Sequence, residues 1–120
     1  MSPIRIGVLG EGATAEAWLR AVAGNQNARL AVLSDSDADR AASLAAHYAT
    51  DCEKDHRTLL VQHALDAAVF AMSPAAAERL LPIAAQRSVA VLLDTPPART
   101  LDEAVRRVAL FDKARRPLLV

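Results

Sequence analysis

Six residues near the start of the chain, Gly10-Glu11-Gly12-Ala13-Thr14-Ala15, follow directly on an apolar run, Ile4-Arg5-Ile6-Gly7-Val8-Leu9. The spacing is G-x-G-x-x-A, that of a strand turning into a helix around a phosphate. The first glycine permits a tight turn, the second lets a pyrophosphate reach the backbone, and the small third residue lets helix pack on strand. The phosphate would sit on the helix N-terminus, where the amides of Gly12, Ala13 and Thr14 attract it and the Thr14 hydroxyl adds a contact. A second apolar run, Leu30-Ala31-Val32-Leu33, ends at Ser34-Asp35, and Asp35 lies 23 residues after Gly12. A carboxylate at that spacing hydrogen-bonds the ribose of a dinucleotide and repels a 2′-phosphate. No arginine or lysine follows until Arg40, so NAD is favoured over NADP. The plainer reading of the same residues is a strand-to-helix turn that holds no ligand, with Asp35 favourable near the start of the next helix. Glu11 is discordant, because a carboxylate beside a pyrophosphate repels it unless the side chain turns to solvent. Weak to moderate cofactor binding is expected.

Elements that would position these residues alternate along the chain. Short β-rich runs near 4 to 9, 29 to 34, 67 to 71, 89 to 93 and 117 to 120 are separated by alanine-rich helical stretches, which implies a parallel sheet covered on both faces. Helix starts are written in capping chemistry: Ser36 with Asp39 three residues on, Ser73 followed by Pro74, and Thr100 with Glu103. Between 49 and 65 a short strand around Asp51 to Glu53 and a short helix containing Leu59, Leu60 and Val61 are expected. In the last helix Ala104, Val105, Val108 and Phe111 share one face, while Arg106, Arg107, Lys113 and Arg115 form a basic cluster read as a solvated face. Trp18 is expected to pack on the sheet, and Asp66 to be a surface or turn carboxylate.

Composition narrows the function classes. At 120 residues the chain is one domain by length and large enough for its own core. Lysine plus arginine and aspartate plus glutamate number 14 each, so there is no net positive field to collect nucleic acid or an anionic membrane. Aromatic residues are 3% of the chain, too few for a base-stacking platform. The single cysteine, Cys52, excludes an internal disulfide and is read as a small structural residue. His47, His56 and His63 stand nine and seven residues apart, without the close pairing of a helical zinc motif, so no metal is expected. The N-terminus leads into a strand without a hydrophobic leader and no run approaches the length of a membrane span, so a cytoplasmic protein is expected. The apolar ending Pro117-Leu118-Leu119-Val120 implies a longer parent chain or a subunit interface, and a homodimer is the expectation for the chain alone.

Over its full length the chain resembles the N-terminal dinucleotide-binding domain of the Gfo/Idh/MocA oxidoreductases. The residues that carry the resemblance are Ile4 to Ala15, Leu33-Ser34-Asp35-Ser36-Asp37-Ala38-Asp39-Arg40-Ala41, Leu65-Asp66-Ala67-Ala68-Val69-Phe70-Ala71, and Val91-Leu92-Leu93-Asp94-Thr95-Pro96. The resemblance implies a doubly wound α/β Rossmann domain over residues 1–120 with strand order 3-2-1-4-5-6, here without the family's C-terminal substrate domain. It also implies a cofactor site of Gly10, Gly12, Ala13, Thr14, Asp35, Ser36, Arg40, Met72 and Ser73. The implied activity is hydride exchange with a hydroxyl carbon of a sugar, polyol or related compound, with catalysis needing the missing domain or a partner chain. Two departures in the residues stand out. Thr95 replaces the family's lysine and does not titrate near neutral pH, leaving Asp94 as the weak catalytic candidate beside it. Ala77 stands where a histidine is usual after the Ala71-Met72-Ser73-Pro74 segment. A non-catalytic nucleotide-binding or oligomerisation module is therefore the alternative.

Overall fold

The apolar runs become strands because each is buried from two sides, and the alanine-rich stretches become the helices that bury them. In the computed structural model, which describes residues 3–11, 13–93 and 118–119, the order is β1 (Ile4–Gly10), α1 (Ala13–Ala23), β2 (Ala28–Asp35), α2 (Ala38–Tyr48) and β3 (Asp51–Glu53). There follow α3 (His56–Gln62), β4 (Ala67–Ala71), α4 (Pro74–Gln86), β5 (Ala90–Leu93) and β6 (Leu118–Leu119). All neighbouring strands pair in parallel, in the order β3-β2-β1-β4-β5-β6. The expected doubly wound sheet and its strand order are what the structure has. The helix expected from Thr100 onward, with its basic cluster, lies outside the described residues.

Side chains alternate across the sheet with the strand period of two, which divides the core in two. Val8, Leu33 and Val69 pack with Leu19 and Val22 of α1 and with Ala41 and Ala45 of α2, and half-buried Trp18 lies against this cluster. Leu9, Val32, Ala68 and Phe70 face the other way, onto Leu59 and Leu60 of α3 and Leu81 and Ala84 of α4. With so few aromatic residues the layers close by near approach rather than bulk. A Cβ added at Gly7 would come within 2.8 Å of Leu65 Cδ1 and 3.1 Å of Leu59 Cδ2, so a larger residue at this strand position would make the ends of those two side chains give way.

The ends of the helices show how the chain is cut into elements. Ser73 caps α4 as expected, its hydroxyl accepting from Ala76 N, with Pro74 in the first turn. The cap of α2 is Asp37 rather than the expected Ser36. Asp35 Oδ1 accepts from Asp37 N, a local turn that uses residues 35 to 37 before the helix begins, and Asp37 Oδ1 then accepts from Asp39 N and Arg40 N. Asp55 caps α3 by accepting from Arg57 N. Ala49 ends α2 in the left-handed region at φ 51°, and Ser88, two residues after α4, has φ 57°. At the opposite end of the sheet Arg5 N donates to Asp66 Oδ2 and Arg5 Nε to Ala64 O, tying the start of β4 to β1. Cys52 is exposed on β3 rather than packed.

Candidate functional site

The strand order reverses between β1 and β4, so a crevice opens above their C-terminal ends, where ligands bind in open parallel sheets. The glycine turn is fixed there from both sides. Glu11 N donates to Ala71 O at the end of β4, and Gly10 O accepts from Ser36 N just beyond β2. Gly10 is aligned with Asp35 on one flank and Ala71 on the other. A Cβ at Gly10 would overlap the Cβ of Ala15 and lie 3.4 Å from Asp35 Oδ2. The bare glycine, the small Ala15 and the carboxylate therefore form one tightly fitted unit, which is what the first and third positions of the motif require.

Asp35 is 2% exposed. Its Oδ1 accepts from Asp37 N at 2.9 Å and from Arg40 Nε at 3.3 Å. Its Oδ2 is buried and, among the described residues, has no hydrogen-bond partner. A buried carboxylate oxygen left unpaired is costly unless a ligand completes it, so the site fits a donor such as a ribose hydroxyl. Arg40 is 41% exposed, so its charge reaches solvent while its Nε stays paired with the buried carboxylate.

Beneath the turn lies a histidine that the spacing of the sequence does not single out. His56 Nδ1 is 2.6 Å from Ser34 Oγ, and His56 Nε2 is 3.8 Å from Glu11 Oε2. Nε2 is the second buried polar atom without a hydrogen bond among the described residues. Burial pushes the imidazole below its ordinary pKa, against the opposing pull of the Glu11, Asp35 and Asp55 carboxylates. Ser34 and His56 are 22 residues apart, and only the folding of α3 beneath β2 joins them. His63 is used otherwise, its Nε2 lying 2.8 Å from Glu53 Oε1.

Of the other expected cofactor residues, Thr14 and Ser36 are exposed at the crevice side of α1 and β2, and Ala13 opens α1. Ser73 is exposed but engaged in its own cap, and Met72 is 3% exposed within the core cluster. Gly12, Asp94 and Thr95 lie outside the described residues. Among the described residues no group of three His, Cys, Asp or Glu side chains is arranged to hold a metal, and no helix is long and apolar enough to cross a membrane. An apolar hollow of about 180 Å³, lined by Ile6, Trp18, Val22, Ala67, Val69 and Leu92, lies low on the sheet beside α1 and away from the turn.

The profile of the Gfo/Idh/MocA family, described as an oxidoreductase family with an NAD-binding Rossmann fold, matches residues 4–120. No curated protein sequence matches the chain. Among solved structures, the biliverdin reductase of Synechocystis sp. PCC 6803, in complex with biliverdin and NADP+, superposes with a TM-score of 0.91 at 19% identity, covering 99% of this chain and 38% of that one. A putative myo-inositol dehydrogenase from Sinorhizobium meliloti 1021 gives 0.88 at 22% identity, covering 96% and 35%. An oxidoreductase from Agrobacterium radiobacter, in complex with NAD+, L-tartaric acid and magnesium, gives 0.90 at 21% identity, covering 98% and 34%. At these identities the likeness is one of fold, and the chain spans well under half the length of each of these proteins.

Proposed function

We propose, for a chain that belongs to the Gfo/Idh/MocA oxidoreductase family, that its NAD(P)-binding Rossmann domain takes NAD in preference to NADP and serves hydride exchange at a hydroxyl carbon of a sugar, polyol or related small molecule. The observation that carries the cofactor reading is the unpaired, buried Oδ2 of Asp35 at the end of β2, beside a turn whose first glycine admits no Cβ. A bound nicotinamide dinucleotide supplies the hydride acceptor or donor. The chain's own residues supply the hold. Gly10, Gly12, Ala13 and Thr14 present backbone amides and a small surface to the pyrophosphate. Asp35 and Ser36 take the adenosine ribose, and Arg40 steadies Asp35 through Oδ1. Met72 and Ser73 carry the chain from β4 into α4 along the nicotinamide side of the crevice.

The preference for NAD rests on charge. A 2′-phosphate would approach the Asp35 carboxylate, whose repulsion at short range in a site of low effective dielectric amounts to a few kcal/mol by order of magnitude. Arg40 offsets this only in part, because its Nε is already committed to Asp35. Titration of the chain with NADH and NADPH tests the preference. Equal dissociation constants for the two would remove it.

Thr95 favours a second reading, a nucleotide-binding module without catalysis, because the side chain at this position cannot shuttle a proton near neutral pH as a tuned lysine can. Asp94, its neighbour, is the remaining acid-base candidate. Substitution Thr95→Lys, assayed for polyol oxidation beside the wild type, separates the two readings. A rise in rate of about a hundredfold or more supports a reduced enzyme, the scale of one general acid-base group. No activity in either form supports the module.

A further inference from the structure

The dinucleotide reading leaves His56 without a task, yet the ring is well placed beneath the glycine turn. It rides on α3 with its side chain 14% exposed, and Ser34 Oγ lies 2.6 Å from Nδ1. Two neutral tautomers fit that contact. In one, Nδ1–H donates to Ser34 and a lone pair on Nε2 faces the side of Glu11. In the other, the Ser34 hydroxyl donates to Nδ1 and the proton sits on Nε2, 3.8 Å from Glu11 Oε2. The second is favoured electrostatically, because it turns a proton rather than a lone pair toward a carboxylate.

The other groups around the ring strengthen that choice. Besides Glu11, the charges acting on it are the carboxylates of Asp35 on β2 and Asp55 at its own helix start. From α4 the cluster shared with α3 is apolar, through Ala77, Leu80 and Leu81, and on β3 the Glu53 carboxylate is bonded to His63. Glu11, for its part, cannot leave the turn, since its backbone N–H is held by Ala71 O. Whether its charge faces the phosphate is therefore decided by the side chain alone. That side chain is 33% exposed and already lies toward His56, and a hydrogen bond of about 2.8 Å requires the 3.8 Å gap to close by about 1 Å.

We propose that His56 is a positioning residue for the dinucleotide site: its Nε2–H holds the Glu11 carboxylate over α3 and so keeps a repelling charge away from the pyrophosphate at the glycine turn. This rests on the dinucleotide reading above. It gives the discordant Glu11 a partner, and it gives the buried Nε2 an acceptor. Ser34, by donating to Nδ1, sets the tautomer that makes the arrangement work.

A double-mutant cycle read by NADH binding tests it. The variants are His56→Asn, which keeps an amide near the Nδ1 position but has nothing at Nε2, His56→Gln, which places an N–H near Nε2, Glu11→Gln, and the pair H56N/E11Q. The expected result is a dissociation constant about tenfold higher for H56N, the scale of losing one hydrogen bond to a charged group. H56Q should restore binding to within about twofold of the wild type, and E11Q alone should bind as well as or better than it. In the E11Q background H56N should then change binding by less than about twofold, because there is no charge left to hold. An effect of H56N that is the same size with and without E11Q overturns the proposal, as does failure of H56Q to restore binding. If H56N does not fold, Ser34→Ala carries the same test with the ring in place, and an effect on binding that persists in E11Q overturns the proposal equally. Absence of saturable NADH binding by the wild type would instead refute the dinucleotide reading itself.

Discussion

Replacing Asp35 with asparagine separates binding from folding, because the structure predicts effects of opposite consequence on the two. In the unliganded protein the carboxylate is 2% exposed and only half satisfied. The asparagine Oδ1 still accepts from Asp37 N, so the turn into α2 survives. The ion pair with Arg40 is lost, but the Arg40 side chain is 41% exposed and rehydrates, which limits that loss to about 0–1 kcal/mol. Removing a buried charge whose second oxygen has no partner returns a similar amount. Net stability should therefore change by less than about 1 kcal/mol, a few degrees in melting temperature for a domain of this size. Binding behaves differently. A ribose hydroxyl that donates to a carboxylate makes a hydrogen bond worth roughly 1.5–3 kcal/mol, and an amide nitrogen at Oδ2 cannot accept it. The NADH dissociation constant should rise between about tenfold and a hundredfold, while NADPH, which gains from loss of the repelling charge, should weaken less or tighten. Calorimetric titration with both nucleotides, alongside thermal melts of the unliganded proteins, measures all three quantities. Unchanged NADH affinity with a stability loss of about 3 kcal/mol or more would refute the reasoning and make Asp35 a purely structural carboxylate.

Three further outcomes follow from other parts of the fold. Gly10→Ala drives a Cβ into Ala15 and against Asp35 Oδ2, so α1 must shift from β1; the melt should show a loss of about 1–3 kcal/mol and NADH binding should be lost with it. Ala49→Gly relieves a left-handed residue at the end of α2 and should raise stability by about 0.5–1 kcal/mol in a denaturant titration, with no effect on NADH binding. Burial lowers the pKa of folded His56 below its ordinary 6.5, so the unfolded chain takes up that proton first as pH falls. The stability this ring contributes is present above 6.5 and is lost as pH falls through and below that value. His56→Gln should flatten that part of the stability profile relative to the wild type in melts between about pH 7.5 and about pH 5; identical profiles would show that the ring is not desolvated in the folded state.

Much of this architecture is legible in the residues, for physical reasons that differ from element to element. The strands stand out because burial on both faces requires continuous apolar runs such as Ile6 to Leu9 and Ala67 to Ala71, and even the three-residue β3 is bounded by polar neighbours. Ser73-Pro74 marks a helix start by local chemistry alone. The start of α2 is less legible, since Ser36 and Asp37 are both good caps and the choice is made by Asp35, which captures Asp37 N from inside the crevice. Asp35 itself is announced by its distance from Gly12, but its unpaired oxygen is a property of packing. His56 is the residue that sequence alone does not reveal. Its neighbours Ser34 and Glu11 come from β2 and from the end of β1, and no periodicity links the three. The nearest signal in the chain is Glu11 itself, a misfit carboxylate that calls for a partner.

The central claim, a working NAD site at the glycine turn, is tested most directly by titrating the purified chain with NADH and with NADPH while exciting Trp18 on α1 and following its emission. The account predicts saturable quenching by NADH at micromolar concentrations and weaker quenching by NADPH. No saturable change with either nucleotide, confirmed by calorimetry, would contradict it and leave the turn as scaffold alone.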